Sequence, residues 1–559
     1  MKTEEIEAEA QTPATVPEPG RRLSPLAKGA LVSAVTGSVV LGSILLVPPS
    51  SPERGAAPAP GSAGRAANAA VAGVEASLPD LAALIRDREA YLRAHPRDDR
   101  SWAALGAAYV EQGQRTADSV FYPKAERALR ISLQLRSAGN VDAMDGLAAL
   151  ANARHDYRTA KKWGEASVKL APKRWTTYPL LIETYGRLGD YKAVDRALGT
   201  LTKLHSGAVV MARAGQVYQD HGWRDDALAS LTDAAALAST PSERAACLHR
   251  AGELMWERGQ SAQALNYFSQ ALAADPDNDA SLAGKGRALA SLGRTTEAVQ
   301  AYRSVLATRP RPEYALELGE LYESLGFGDA AKAEYDLLRK RVGADGVNGV
   351  DDSLLLGRLE ADHGNPRSAV TRLRAEWGRA PSVQTADALG WALHKAGNDK
   401  EALKYAQRAT DPEHGGTVRS ALIVYHRGEV ERQLKMDGPA RRHIGEALRI
   451  NPAFSPLLSP LAKKALAALG DPPVGEPGKA WGTKASTAPP SKPHAAPRSP
   501  APERPASRPP ANESPAVRPT APAAPPKPAP PAATPPAQAP AKPSPRPTPQ
   551  TQTPKPPGA

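Results

Sequence analysis

The chain has almost no thiol chemistry available to it. Cys247 is the only cysteine among 559 residues. A single thiol excludes an intrachain disulfide and any zinc or iron–sulfur site that needs several cysteines. Because Cys247 lies within a helical pattern, we expect a small buried apolar residue rather than a reactive thiol.

Aromatic residues are also scarce, and proline is unevenly placed. There are 4 phenylalanines, whereas 30 of the 55 prolines follow residue 471. Proline at this density prevents a packed core, so residues 471–559 are predicted to be a disordered tail rich in proline and alanine. The tail holds 11 Lys or Arg and 4 Asp or Glu, so it carries +7 of the net charge of +12. Because aromatic residues do not separate these charges, we do not expect nucleic acid to bind.

Long apolar runs are rare, and one of them lies near the N-terminus. Residues 29–47 carry no charge, and a pair of prolines ends the run. As a helix, these 19 residues cross a hydrocarbon core of about 30 Å, so we predict a transmembrane helix. Basic residues precede it, which places a disordered N-terminus at residues 1–28 in the cytoplasm and the rest outside. A cleaved signal peptide is the alternative, but no small-x-small cleavage site follows Val47.

Sequence motifs for catalysis are absent as well. The chain has no G-x-S-x-G elbow, H-E-x-x-H pair, Walker loop or G-x-G-x-x-G after a strand. His249 and Glu253 are four residues apart on a helix, but no third metal ligand is evident, and we interpret them as a solvated pair. We therefore assign no catalytic residue, no metal and no cofactor, and we do not expect an enzyme.

A regular spacing of glycine marks the middle of the chain. Each of these glycines is followed five residues later by alanine or valine. In a helix-turn-helix unit, glycine permits the positive backbone angle that ends the first helix, and a small residue opens the second helix where the axes come closest. Apolar residues at helical spacing flank each turn, so each unit is predicted to be an amphipathic helix pair that stacks on its neighbours. The glycines are Gly189, Gly222, Gly259, Gly293, Gly326, Gly364 and Gly397.

This pattern resembles the tetratricopeptide repeat. The first helix of that repeat carries W-x2-L-G-x2-Y, and Trp102, Leu105, Gly106 and Tyr109 reproduce it in full. The resemblance implies an all-α fold in which residues 78–470 form a right-handed superhelical solenoid of about ten helix-turn-helix units. We expect the units to start near residues 99, 141, 175, 208, 245, 279, 312, 350, 383 and 421.

Some positions depart from the repeat. His155 and Lys435 stand where the turn glycine is expected, and the first unit has an insertion around residues 114–122. Residues 342–349, which contain glycine and aspartate, are predicted to be a loop between units. These departures affect unit boundaries rather than the kind of repeat.

The flanks of the solenoid are predicted separately. Residues 48–77 are expected to be a linker between the membrane segment and the solenoid. Residues 78–93 are expected to form an unpaired leading helix, and residues 459–469 a helix that closes the stack.

The resemblance also implies a binding surface. In that family the first helices line a concave groove, and large aromatics at their outward positions are candidate anchors for a partner. Alternatively, such aromatics cover apolar atoms of the neighbouring unit. Carried over to this chain, the outward positions form an acidic surface with exposed aromatics: Glu183, Gln216, Gln219, His249, Glu253, Trp256, Arg287, Glu320, Glu323, Arg358, Trp391, His394, Tyr425, Glu429 and Arg432.

The expected partner is a protein or peptide. Some family members recognise a C-terminal carboxylate through a Lys and an Asn on one helix, and this chain lacks that pair, so we do not expect a chaperone tail of this carboxylate-clamp type. A basic or extended peptide suits the groove better.

Two hypotheses of function follow. The first is a membrane-tethered protein–protein interaction scaffold of a bacterial envelope, with its N-terminus in the cytoplasm and its solenoid outside. The alternative is a secreted or cell-wall-associated structural protein whose proline-rich tail is the functional element.

Overall fold

The described part of the chain is helical. A computed structural model describes residues 60–415 and 419–471, in which α-helices and one 3-10 turn at Pro412–His414 form and no β-strand does. Within these two ranges no helix is long and apolar enough to cross a membrane. The predicted N-terminus at residues 1–28, the predicted membrane segment at residues 29–47 and the predicted tail beyond residue 471 lie outside the described residues.

Among the described residues, ten first helices recur at the predicted interval. Several begin after a residue whose side chain accepts a hydrogen bond from a backbone N–H of the first turn, as at Asp98 and Asn140. Each begins within four residues of its predicted start. They are α3 (Asp99–Thr116), α5 (Val141–Ala153), α7 (Thr177–Arg187), α9 (Ala208–Asp220), α11 (Pro241–Glu257), α13 (Asp279–Ser291), α15 (Pro312–Ser324), α17 (Ser353–His363), α19 (Val383–Lys395) and α21 (Ala421–Gln433).

Each first helix packs on the second helix that follows it. The small residues five positions after the turn glycines are buried, as expected where two helix axes come closest; Ala227, Ala264 and Ala298 have no exposed surface. The second helices are α4 (Phe121–Leu135), α6 (Tyr157–Leu170), α8 (Tyr191–Leu204), α10 (Arg224–Leu237), α12 (Ser261–Ala274), α14 (Thr295–Thr308), α16 (Gly328–Val347), α18 (Pro366–Arg379), α20 (Asp399–Ala409) and α22 (Asp437–Ile450).

The turns within the units adopt the predicted left-handed backbone with one exception. Six of the seven glycines have positive φ, whereas Gly364 has φ of −151° and does not. His155 and Lys435, which replace the glycine, both have φ of 61°. A side chain in this region costs about 1 kcal/mol, so the packing of these two units imposes the turn without glycine.

Two predictions at the unit boundaries are wrong. The predicted linker at residues 48–77 contains α1 (Ser62–Val71), which packs on α2 (Leu78–Ala94), so the leading helix is paired. The predicted loop at residues 342–349 continues the helix α16 as far as Val347. This extension is helical because Val342 and Asp345 are buried on one side of it. The closing helix α23 (Leu458–Leu469) is confirmed.

The solenoid winds tightly enough for successive turns to touch. We call these contacts the seam. Arg309 Nε donates to the carbonyl of Arg115 at 3.1 Å, and Asn451 Nδ2 donates to the carbonyl of Trp256 at 2.8 Å. The partners in most of these contacts lie 192 to 229 residues apart in sequence. The early units therefore meet units five or six positions further along, in addition to their direct neighbours.

Candidate functional site

A groove runs along the first helices in the C-terminal half of the solenoid. It encloses about 740 Å³. One side is formed by the first helices from α11 to α21, and the other by residues 451–463, which connect α22 to α23 and begin α23. The connection is held in place by the hydrogen bond from Asn451 to Trp256 and by Ser291 Oγ, which donates to the carbonyl of Ala453 at 3.4 Å.

Sequence reasoning did not identify residues 451–463 as a wall of the groove. The repeat pattern ends before them, so it carries no information on where they lie. The available signal is three prolines at intervals of four, at positions 452, 456 and 460, which disfavour another helix pair directly after α22.

The structure brings six of the predicted groove residues together. The other predicted residues do not line the groove, and most of them bond to neighbours; for example, His394 Nδ1 lies 2.6 Å from Asp399 Oδ1, and Arg432 Nη2 lies 2.6 Å from Glu429 Oε1. The six that line the groove are Trp256, Arg287, Glu320, Glu323, Arg358 and Trp391.

Trp256 is the aromatic residue that remains available to a partner. Its ring is half-buried and lines the groove. The indole Nε1 donates to Ser291 Oγ at 2.9 Å, and the Arg287 guanidinium carbon lies 5.0 Å from the ring centroid. These contacts fix the ring in one orientation and leave part of its surface facing the groove.

The expected exposure of Trp391 and Tyr425 is wrong. Trp391 is 6% exposed and Tyr425 is 2% exposed. The Trp391 ring stacks on His426 at 4.1 Å, while the Tyr425 ring packs against Phe454 in the closing connection, with centroids 5.4 Å apart. They pack within the stack because the neighbouring unit and the closing connection cover them. These two aromatics therefore cover apolar atoms of neighbouring elements instead of facing a partner.

The charges of the groove are predominantly acidic. Of the residues that the structure describes, six carboxylates and four Lys or Arg side chains line it. Arg287 is already neutralised between Glu253 and Glu317, and Gln219 Nε2 donates to Glu257 Oε2 at 2.7 Å. Burial raises the pKa of Glu257 to about 7. In the described ranges no Lys or Arg pairs with Glu257, so this carboxyl is open to a cation from a ligand.

One buried histidine in the groove has a free hydrogen-bonding position. His426 Nδ1 lies 2.9 Å from Asp387 Oδ1, so the carboxylate favours a proton on Nδ1 and leaves Nε2 as an acceptor. Nε2 is buried and has no hydrogen-bond partner among the described residues. An N–H group that reached it would satisfy this acceptor.

Neither metal binding nor thiol chemistry gains support in the described residues. There, no group of three His, Cys, Asp or Glu side chains is arranged to hold a metal ion. Glu253 pairs with Arg287 instead of facing a ligand jointly with His249. Cys247 is buried, as expected, and burial raises the pKa of its thiol to about 11.

Two stretches of the chain match family models described as tetratricopeptide repeats, at residues 255–321 and 354–414. The matches fall on helix pairs α11 to α15 and α17 to α20. The chain is a tetratricopeptide-repeat protein.

The tetratricopeptide-repeat protein is also similar to a curated protein. It is 43% identical over 84 residues to the tetratricopeptide repeat and J domain-containing co-chaperone DNJ1 of Fusarium oxysporum f. sp. lycopersici. The match covers 15% of this chain and 16% of that protein. The chain thus spans about one sixth of the relative, which limits the similarity to a few repeats.

Three solved structures are similar to parts of the tetratricopeptide-repeat protein. The crystal structure of MamA has 20% identity and a TM-score of 0.25, covering 30% of this chain and 97% of that one. Pseudomonas aeruginosa pilF has 20% identity and a TM-score of 0.29, and the match covers 37% of this chain and 94% of that chain. A tetratricopeptide repeat protein from Parabacteroides merdae has 18% identity and a TM-score of 0.29, and the match covers 47% of this chain and 99% of that chain. Nothing about function follows from similarities at this level.

Proposed function

We propose that the protein is an interaction scaffold whose groove holds an extended, basic segment of a partner protein. Tetratricopeptide repeats suggest a protein–protein interaction scaffold in general. The observation that carries the specific proposal is the groove of about 740 Å³, in which the half-buried Trp256 stands beside Glu257, whose carboxyl has no Lys or Arg partner among the described residues.

The shape and chemistry of the groove favour an extended chain. It follows the first helices of several units, so a ligand that contacts them in succession is elongated. Its excess of carboxylates favours Lys or Arg, and Trp256 offers an aromatic face for apolar or cationic side chains.

Replacement of Trp256 by alanine is expected to weaken binding of such a peptide about tenfold or more, because a central aromatic anchor is lost. Peptides are first selected from a random display library against the full chain, and the dissociation constant of a fluorescently labelled selected peptide is then measured by anisotropy. We expect the selected peptides to be enriched in Lys and Arg. Binding is also expected to be tighter at pH 8 than at pH 6, because Glu257 has a pKa of about 7 and ionises over this range.

The controls separate a binding defect from a folding defect. Glu257→Gln is expected to remove most of the pH dependence and to leave helicity, measured by circular dichroism, unchanged. Trp223→Ala changes a tryptophan that is 53% exposed and lies outside the groove lining, and it is expected to bind as the unmodified chain does. Selection of acidic peptides, or equal affinities for the two tryptophan variants, contradicts the proposal.

We further propose that the scaffold is tethered to a membrane by residues 29–47 with the solenoid outside the cytoplasm. The support is the run of 19 uncharged residues and the basic residues before it. The intact chain is expected to stay with the membrane pellet after an alkaline carbonate wash, and a chain that lacks residues 29–47 is expected to be released. Release of both chains into the supernatant contradicts the tether.

A further inference from the structure

Two arginines of neighbouring units face each other on the first helices α9 and α11. Arg213 Nη1 and Arg250 Nη1 both donate to Oε1 of Gln216, each at 2.9 Å. Because one amide oxygen serves both groups, the two guanidinium ions lie at close range. Both side chains are half-buried, so water screens their repulsion only in part.

Neither arginine has a counter-ion at contact distance. Throughout residues 60–415 and 419–471, no carboxylate lies within 4.0 Å of either guanidinium group. Burial and the charge of Arg250 lower the pKa of Arg213 to about 10, although the charges of Glu183 and Asp220 act in the opposite direction. Arginine keeps its proton at neutral pH even so, and the pair therefore holds two positive charges without a carboxylate at contact distance among the described residues.

Two acidic side chains beside the pair are engaged elsewhere. Glu75 and Glu243 line the same cavity as the two arginines. Glu75 Oε2 lies 3.9 Å from Arg115 Nη1, and Glu243 Oε2 accepts hydrogen bonds from the backbone N–H and the hydroxyl of Ser239 at 2.7 and 2.9 Å. A carboxylate within the cavity is thus not positioned to bridge the two guanidinium groups.

The cavity has room for a small anionic group. It encloses about 120 Å³ between the connection of α1 to α2 and the helices α9 and α11. This equals the liquid volume of roughly four water molecules. Guanidinium groups bind carboxylate and phosphate through paired hydrogen bonds, and one anion between them neutralises both charges.

We propose that Arg213 and Arg250 form an anion-binding site that takes a carboxylate or phosphate group. The site lies outside the groove lining, and its arginines are not among the residues that carry the proposed function. Its ligand is either a free anion or an anionic side chain of a bound protein. These two sources share the same chemistry and differ in size and in what they are attached to.

The test uses two probes on the full chain, inorganic phosphate and a labelled hexaglutamate peptide, at matched ionic strength in a chloride buffer. Binding is measured by isothermal titration for phosphate and by fluorescence anisotropy for the peptide. We expect at least one probe to bind the unmodified chain, and to bind the double variant Arg213→Gln, Arg250→Gln at least tenfold more weakly. Preferential binding of phosphate identifies a free anion as the source, and preferential binding of the peptide identifies an acidic partner segment.

A matched control removes the same charge from the surface. Arg130 and Arg294 each pair with a glutamate on their own helix or turn, and the double variant Arg130→Gln, Arg294→Gln is expected to bind both probes as the unmodified chain does. Thermal unfolding in chloride is expected to occur at the same or a higher temperature in the Arg213 and Arg250 variant, because repulsion between the two charges is removed. Failure of both probes to bind the unmodified chain, or equal binding by the two double variants, overturns the proposal.

Discussion

Replacement of Asp345 by alanine is expected to lower the free energy of unfolding by about 2 to 4 kcal/mol. Asp345 is buried in the seam, where its Oδ1 accepts a hydrogen bond from Ser119 Oγ at 2.5 Å and its Oδ2 accepts one from Arg341 Nε at 3.1 Å. Without the carboxylate, the hydroxyl and the guanidinium group lose a partner in a place that water reaches poorly. The free energy is measured by urea unfolding followed by circular dichroism.

The same variant tests whether the seam holds the turns of the solenoid together. We expect small-angle X-ray scattering to show a larger radius of gyration for Asp345→Ala, because one of the links between successive turns is removed. Asp336→Ala is the matched control, since Asp336 is on the same helix but exposed, with Lys332 and Arg339 as partners; it should change neither quantity measurably. If the two variants unfold at the same urea concentration and scatter alike, the seam does not stabilise the winding.

Replacement of Phe268 by alanine is expected to cost about 3 to 5 kcal/mol of unfolding free energy. Phe268 has no exposed surface, and its ring fills the space between Gly252 on α11 and Gly284 on α13. A Cβ atom at either glycine would lie 2.6 or 2.5 Å from the ring, so the two first helices are shaped around this side chain. Truncation leaves a cavity that rigid helix packing closes only in part.

The control for Phe268 is another phenylalanine. Phe327 is 58% exposed, and Phe327→Ala is expected to change the urea midpoint much less. Gly284→Ala offers a second check in the opposite sense, because it adds volume at the site where Phe268→Ala removes it. It is expected to lower the free energy of unfolding by about 1 to 3 kcal/mol. Similar midpoints for the two phenylalanine variants would show that the α11–α13 contact tolerates a cavity.

The repeat architecture could be predicted because the same packing problem recurs in every unit. The glycine and the small residue five positions later mark the point where two helices approach. This requirement is visible in the sequence of each unit that has such a small residue, as at Ala227 and Ala264. His155 and Lys435 show that the requirement belongs to the backbone, since both adopt the left-handed turn without glycine. The hand of the superhelix stays a prediction.

The seam could not be predicted for a different reason. Most of its contacts join residues 192 to 229 positions apart, and many of the acceptors are backbone carbonyls, such as that of Arg115, which do not require a particular side chain. No recurring residue type therefore marks it. The same holds for the extension of α16, where Asp345 contacts Ser119 of the preceding turn.

The candidate sites were predicted in part. The outward positions of the first helices located Trp256 correctly. That assignment considers only a unit and its direct neighbours, so it does not include the closing connection that covers Tyr425. Arg213 and Arg250 are not among these outward positions. A signal for them does exist, because each stands five residues after a predicted unit start in two consecutive units.

The seam has a consequence for how the protein is made. A ribosome adds roughly 5 to 20 residues per second, so the partner of a seam residue, typically 192 to 229 positions later, is synthesised roughly 10 to 45 s after it. During that interval the early repeats are complete as helix pairs, while their seam groups, among them the hydroxyl of Ser119 and the carbonyl of Trp256, still face water. The nascent solenoid is therefore first a stack of helix pairs without seam contacts. The contacts between successive turns form only as the later repeats leave the ribosome.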